Sequence, residues 1–199
     1  MVLQTLRTGS ITLRAVAAGD ADALLALFGD ADRMRFWGHG PLAGPEDARA
    51  LVEQIRAGAE RGDLRQWAIT LSSDDELIGT ATLAGVDEEH RRAELGVALR
   101  REWEGRGLAA EAAGELIRHA FEDLGLHRVT ADADPRNSGA IALLERLGFR
   151  REGLLREHYR RDGEWQDGVL YGLLRTEWER RSALQRPRDP PARRTASDA

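Results

Sequence analysis

The sequence predicts a mixed α/β fold with one central sheet flanked by helices, on three observations. Short apolar or alternating runs at residues 11–16, 67–71, 77–83, 93–99 and 129–133 are interleaved with segments whose apolar residues recur at helical spacing. A turn bearing Gly105 and Gly107 stands between one such strand and an apolar-periodic helix. The run 137–149, NSGAIALLERLGF, carries its own start and stop signals. Asn137 or Ser138 can cap a helix on which Ile141, Leu144 and Leu147 share a face. Gly148 sits where a left-handed cap belongs, and Phe149 opens a new strand.

Taken in order, residues 11–16 alternate as a first strand, and Asp20 opens a helix carrying Leu24, Leu25, Leu27 and Phe28. Gly38, Gly40 and Gly44, with two prolines, punctuate residues 36–45 before a second helix beginning near Glu46. Strands at 67–71 and 77–83 flank a turn at 72–75, and residues 93–99 form a fourth strand that feeds the glycine turn. The following helix, about 106–124, repeats Leu108, Ala112, Leu116, Ala120 and Leu124 on one face. Residues 129–133 are a fifth strand, and 149–160 with 165–174 pair as a hairpin around Asp162-Gly163. The domain is expected to span 8–180, and residues 183–199, with Pro187, Pro190 and Pro191 among arginines, to be a disordered tail.

The chain has 199 residues, 42% of them hydrophobic, enough for one substantial core. A net charge of −5 argues against broad nucleic-acid binding, which neutralises phosphates with excess Lys and Arg. With no cysteine there is no disulfide, thiolate metal site or cysteinyl-acyl intermediate. The first residues lack an apolar core of signal length and no run approaches membrane-spanning length, so a cytoplasmic protein without a membrane partner is expected. The five histidines show no metal-ligand spacing, and no metal is expected. The five tryptophans are scattered over separate elements, which favours core and cleft packing over a base-stacking platform.

The glycine turn carries the chemistry. Without Cβ atoms, Gly105 and Gly107 let backbone N–H groups approach a ligand, and the helix behind them offers unpaired N–H groups and the positive end of its dipole. That is a site for phosphate oxygens, with Arg100, Arg101 and Arg106 nearby. The nucleotide-triphosphatase loop G-x-x-x-x-G-K-[ST] does not occur. The dinucleotide fingerprint does fit, as Gly105-Arg-Gly107-Leu-Ala-Ala110 with Asp132 downstream, although residues 100–104 are charged apart from Trp103 where a buried strand is required.

A W-x-G-x-G-L-A-x-E-A turn (Trp103 to Ala112) followed by an N-x-x-A-x-x-L-x-E-x-L-G-F helix (Asn137 to Phe149) resembles the GCN5-related N-acetyltransferase (GNAT) superfamily. The runs 152–157 and 167–178, the strand 11–14 and Arg35-Phe36-Trp37 resemble its branch containing the ribosomal-protein N-terminal acetyltransferases. The resemblance covers roughly residues 10–178. It implies a GNAT fold with splayed fourth and fifth strands, and acetyl-CoA as co-substrate. Gly105, Arg106, Gly107, Leu108 and Ala109 would cradle the pyrophosphate, and edge groups of Val97, Ala98 and Leu99 would bond the pantetheine arm as an added strand. A backbone N–H of that strand would stabilise the developing oxyanion. Asn137 matches a cofactor-contacting asparagine, a role compatible with helix capping.

The implied acceptor is a primary amine, a peptide N-terminus or a small molecule, taken by a monomer or homodimer without direct nucleic-acid contact. Trp37 would border the acceptor cleft, unless it and Phe36 only plug the core. Glu94 shares a strand face with Gly96 and Ala98 and is the candidate base; the alternative is a strand glutamate paired with Arg91 or Arg92. Two positions depart from the superfamily pattern. Glu104 replaces a common glutamine or arginine and is expected to turn to solvent. The proton-donating tyrosine falls on Leu144, which leaves Ser138, solvent or unprotonated thiolate departure as alternatives. A small-molecule amine acetyltransferase, a non-catalytic acyl-CoA-binding regulator and a nucleotide-dependent oxidoreductase are the competing readings.

Overall fold

A computed structural model describes residues 3–62, 64–161 and 163–185 of the chain. Its strands are β1 (Leu6–Arg7), β2 (Ile11–Ala15), β3 (Leu64–Leu71), β4 (Leu77–Asp87), β5 (Arg92–Leu99), β6 (Arg128–Ala133), β7 (Arg150–Arg161) and β8 (Glu164–Leu174). The helices are α1 (Ala21–Phe28), α2 (Ala31–Met34), α3 (Pro45–Arg61), α4 (Leu108–Arg118), α5 (Ser138–Leu147) and α6 (Arg175–Gln185). The strands make one sheet in the order β1-β2-β3-β4-β5-β6-β8-β7. Every neighbouring pair is antiparallel except β5 and β6.

Both faces of the sheet centre are covered, which is why β3 is buried from Arg65 to Thr70 rather than on alternate residues. On one face α4 seats Leu108, Ala112, Leu116 and Ile117 against Trp67, Ile69, Leu95 and Val129. On the other, Leu24, Leu27 and Phe28 of α1 meet Val52 and Ile55 of α3 over Ala68 and Ala98. Each fully buried Leu, Ile, Val or Phe side chain contributes about 1.5–3 kcal/mol. Polar ties fix the chain start: Trp67 Nε1 donates to the Gln4 carbonyl (2.8 Å), and Glu111 accepts from Thr8 Oγ1 (2.5 Å) and Ser10 N–H (2.9 Å). Gly79 is where β4 and β5 press closest, since a Cβ there would lie 2.2 Å from the Ala98 carbonyl oxygen.

The structure adds β1, α2 and α6 to the elements read from sequence, so the expected fourth and fifth strands are β5 and β6. The long helix expected over 106–124 begins at Leu108, and its last turn widens: Leu124 N–H reaches back to the His119 carbonyl, five residues away (3.0 Å). Ala183 to Gln185 belong to α6 rather than to a disordered tail, and residues 186–199 and Asp162 lie outside the described residues. Gly163, at φ +87°, sits where β7 turns into β8.

β5 and β6 pair only over Arg92↔Arg128, Ala93↔Val129 and Glu94↔Thr130. Beyond Glu94 each follows its outer neighbour, β5 staying with β4 to Leu99↔Gly79 and β6 with β8 to Ala133↔Val169. A wedge-shaped gap therefore opens inside the sheet, directed towards the glycine turn.

Candidate active site

The backbone groups facing that gap follow from β5's antiparallel pairing. Arg100 N–H donates to the Ile78 carbonyl (2.8 Å), so by alternation Ala98 also bonds towards β4. Val97 and Leu99 then point their N–H and C=O groups into the gap. Among the three residues read as an edge for pantetheine, Val97 and Leu99 present backbone there, and Ala98 instead directs its backbone towards Thr80. The Leu99 carbonyl already accepts from Arg33 Nη2, which also pairs with Glu104 Oε1 (2.8 Å). Glu104 is thus exposed, as expected, but not free. It belongs to a clamp from α2 that spans the end of β5 and the glycine turn.

At the turn, Gly105 (φ +71°) and Gly107 (φ +82°) are both left-handed, and a Cβ on either would meet nothing within 4 Å. The space over the turn is open to a ligand. Among the described residues the first helical amides with backbone acceptors are those of Ala110 and Glu111, both onto the Gly107 carbonyl. The preceding amides are the unpaired donors of a helix start, where phosphate oxygens are favoured. Leu108 buries its side chain in the core, so it offers only backbone. Arg106 lies over the Trp103 ring, 4.7 Å from its centroid. The residues fit a CoA pyrophosphate.

On the α1/α3 face of the gap lies a cavity of about 230 Å³ whose walls include Phe28, Trp37, His39, Thr82, Glu94 and Gly96. Trp37 and Glu94, distant in sequence, therefore share one chamber. Trp37 stands edge-on to Phe28 (centroids 5.6 Å) and leans against His39 (5.9 Å), and it is partly exposed rather than sealed in the core. Phe36 faces a separate open groove with Arg35 and Arg136. Arg91 and Arg92, the sequence-adjacent partners considered for Glu94, are engaged with the Gly125 carbonyl and with Asp87 instead.

The neighbour of Glu94 is Asp132, which the sequence offered only as the acidic residue of the rival dinucleotide fingerprint. Asp132 lies two positions past Thr130, the residue that pairs with Glu94, so the two carboxyl groups are neighbours on the same sheet face. Glu94 is exposed on β5, but partial desolvation of its carboxyl at the cavity wall, then the neighbouring Asp132 charge, push it above the usual carboxylate range; His158 pulls the other way. A carboxylate so raised is a better proton acceptor near neutral pH than an ordinary glutamate.

Asn137 caps α5, its Oδ1 accepting from Ala140 N–H (3.1 Å), and Asp134 shapes the approach by accepting from Arg136 N–H (2.8 Å). Leu144 is buried in the core. Ser138 is exposed at the first position of α5. Neither tyrosine is a free proton donor: Tyr171 donates to Glu145 (3.2 Å) and Tyr159 to Asp134 (3.3 Å). Burial and then Asp134 push the Tyr159 hydroxyl up to about 12.

A gap within a parallel strand pair, a phosphate-ready turn at one end and a carboxylate chamber beside it define an acyltransferase that uses a CoA thioester. Residues 10–150 match the family described as acetyltransferase (GNAT) domain, and the chain belongs to that family. It is 34% identical over 176 residues to the uncharacterised N-acetyltransferase p20 of Bacillus licheniformis, covering 88% of this chain and 99% of that one. It is 30% identical over 135 residues to the [ribosomal protein uS5]-alanine N-acetyltransferase of Escherichia coli K12, covering 67% and 70% respectively. It superposes on the crystal structure of a Vibrio cholerae spermidine N-acetyltransferase in complex with CoA and spermine with a TM-score of 0.77 at 25% identity, covering 86% of this chain and 99% of that one.

The chain is an acetyl-CoA-dependent N-acetyltransferase. The dinucleotide fingerprint matched because β5-α4-β6 is itself a parallel strand–helix–strand unit with a glycine turn. No helix of the described residues is long and apolar enough to cross a membrane.

Proposed function

We propose that the enzyme acetylates a primary amine, in the first instance the N-terminus of a protein such as a ribosomal protein, in the chamber between Trp37 and Glu94. The observation that carries this reading is that one cavity is lined by both Trp37 and a glutamate whose carboxyl is raised by partial desolvation there and by Asp132. The N-terminal-amine acceptor is supported by the likeness to the uS5-alanine enzyme. Acetyl-CoA supplies the activated acetyl carbonyl. The chain's own residues do the rest: the turn amides from Gly105 to Ala109 hold pyrophosphate, and the Val97 and Leu99 edge orients the arm. Asn137 borders the same ligand while capping α5, the Val97 N–H steadies the developing oxyanion, and Glu94 takes the proton of the incoming ammonium. An α-amine has a reference pKa near ~8, so much of it is protonated and non-nucleophilic at neutral pH until a base removes that proton.

The acceptor is tested by mass-spectrometric acetylation screening over ribosomal-protein N-terminal peptides and small amines. Acetylated peptide N-termini are the expected result; modification of polyamines alone would replace the acceptor assignment with a small-molecule one. That second reading has its own observation, the Glu94–Asp132 carboxyl pair at the cavity, which suits a cationic diamine.

Two substitutions separate the halves of the site. Gly107→Asp places a Cβ and a negative charge in the open space over the turn, at a left-handed position that aspartate tolerates. A carboxylate at a helix start does not harm the helix, so the fold should persist while acetyl-CoA affinity, read by calorimetry, falls at least about tenfold, or 1.4 kcal/mol. Unchanged affinity would remove the pyrophosphate from this turn. Trp37→Ala removes a cavity wall without touching the turn. The acceptor KM should rise severalfold more than the acetyl-CoA KM, and an equal rise in both would make Trp37 a packing residue only.

A further inference from the structure

Across the gap from Glu94, β7 does something its sequence gives no reason for. Leu155 pairs with Gly168 and Tyr159 with Gln166, so four steps along β7 oppose two along β8, and Arg156, Glu157 and His158 bulge. Glu157 adopts φ +51°, a left-handed conformation rare for a non-glycine residue, and its N–H is held by Asp167 Oδ1 (2.9 Å). The bulge lays the His158 ring over Gly168, where a Cβ would lie 2.9 Å from the ring. His158 Nε2 is thereby 3.8 Å from Asp132 Oδ2, with 42% of the histidine side chain and 33% of the aspartate side chain exposed. Strain at the bulge, a glycine that makes room and a partly solvated ring converge on the carboxylate that neighbours Glu94 on the same sheet face.

We propose that Asp132 and His158 are positioning residues of the proton step, Asp132 standing beside Glu94 so that the two carboxylates hold the acceptor's ammonium proton between them and His158 passing it to solvent. The inference rests on the reading of Glu94 as the base. The ammonium gives its proton to Glu94, which frees the nitrogen lone pair to form the new N–C bond. The proton is held between the Glu94 and Asp132 carboxyls, moves to His158 Nε2 and leaves to water, restoring both carboxylates for the next turnover. The groups around this path are few. β5 gives Glu94, β6 gives Asp132, β7 gives His158 and Tyr159, and the segment after α2 gives His39 on the cavity wall. β8 faces it with Gly168 and Leu170, which do not titrate. Tyr159 is committed to Asp134 (3.3 Å), and Asp134 to Arg136, so neither competes for the proton.

The test is the pH dependence of kcat/KM for the wild type, Asp132→Asn, His158→Ala, Glu94→Gln and the Glu94→Gln/Asp132→Asn double variant, with acetyl-CoA affinity as the folding control. Asp132→Asn removes a like charge from Glu94, so the acidic limb should move to lower pH. His158→Ala should lower kcat on the order of fivefold, less than loss of the base itself, and added imidazole should restore it. In the Glu94→Gln background, Asp132→Asn should have no further effect, because the pair is already broken. An unmoved acidic limb in Asp132→Asn, or normal kcat in His158→Ala, overturns the relay while a deep loss in Glu94→Gln leaves the base in place. Full activity of Glu94→Gln would instead overturn the base itself.

Discussion

Glu94→Gln is expected to lower kcat about 10²-fold or more, the lower end for loss of a general base, with little change in acetyl-CoA affinity. The substitution preserves the shape of the side chain beside Gly96 on the cavity wall and removes its basicity. Because partial desolvation and Asp132 raise Glu94 above the ordinary carboxylate range, its base form is present above that raised value and is lost as pH falls through it. The wild-type acidic limb should lie higher than an unperturbed glutamate would give, and the variant should lose that limb. Stability should move in the opposite sense to activity. A carboxyl that binds its proton more tightly when folded loses folding free energy as pH rises through the window between its unfolded and folded values. Glutamine has no such loss, so at neutral pH the variant should melt at or slightly above the wild-type temperature. Near-normal turnover with an unaltered profile would leave Glu94 a structural residue of β5.

The parts of this site that were legible in the sequence are those encoded within a few residues. Gly105 and Gly107 announce a turn because only a residue without Cβ adopts their φ freely, and Asn137 with Gly148 marks both ends of α5. Period-two alternation along β5 put Glu94, Gly96 and Ala98 on one face, and Glu94 and Gly96 do line one cavity. What escaped depends on residues far apart in the chain. Arg33 reaches Leu99 and Glu104 only because α2 folds over the end of β5, and α2 is too short to show a helical period. The Asp132 and His158 arrangement needs both the sheet order and a bulge at Glu157, which has no glycine to betray it. β1 is two residues long and carries no alternation. α6 has no helical signature because its composition is polar on all sides, so that Ala183 to Gln185 read as the beginning of the basic, proline-bearing tail.

The largest effect on stability is expected far from the chemistry, at Asp20. Its carboxylate is buried at the entry to α1 and accepts three hydrogen bonds, from Arg14 Nη1 (2.8 Å), Arg14 Nη2 (2.9 Å) and Ala17 N–H (2.7 Å). The bidentate fork fixes the end of β2 to the start of the helix that carries Phe28 towards the cavity it shares with Trp37 and Glu94. Arg14 also bonds Asp75 through Nε (2.6 Å), but that carboxylate is largely exposed and contributes little on its own. Asp20→Ala leaves a mostly buried guanidinium without its main counter-charge and the Ala17 amide without its acceptor. The expected loss is about 3 kcal/mol, the lower end for breaking a buried pair by removing one partner. That corresponds to a fall in Tm of about 6–12 °C for a chain of this size. Asp20→Asn keeps an acceptor for Ala17 but cannot receive the charged fork, so it should recover only part of the loss. Thermal melts of both variants check this, and a drop under about 1 kcal/mol in Asp20→Ala would mean that Asp75 alone neutralises Arg14.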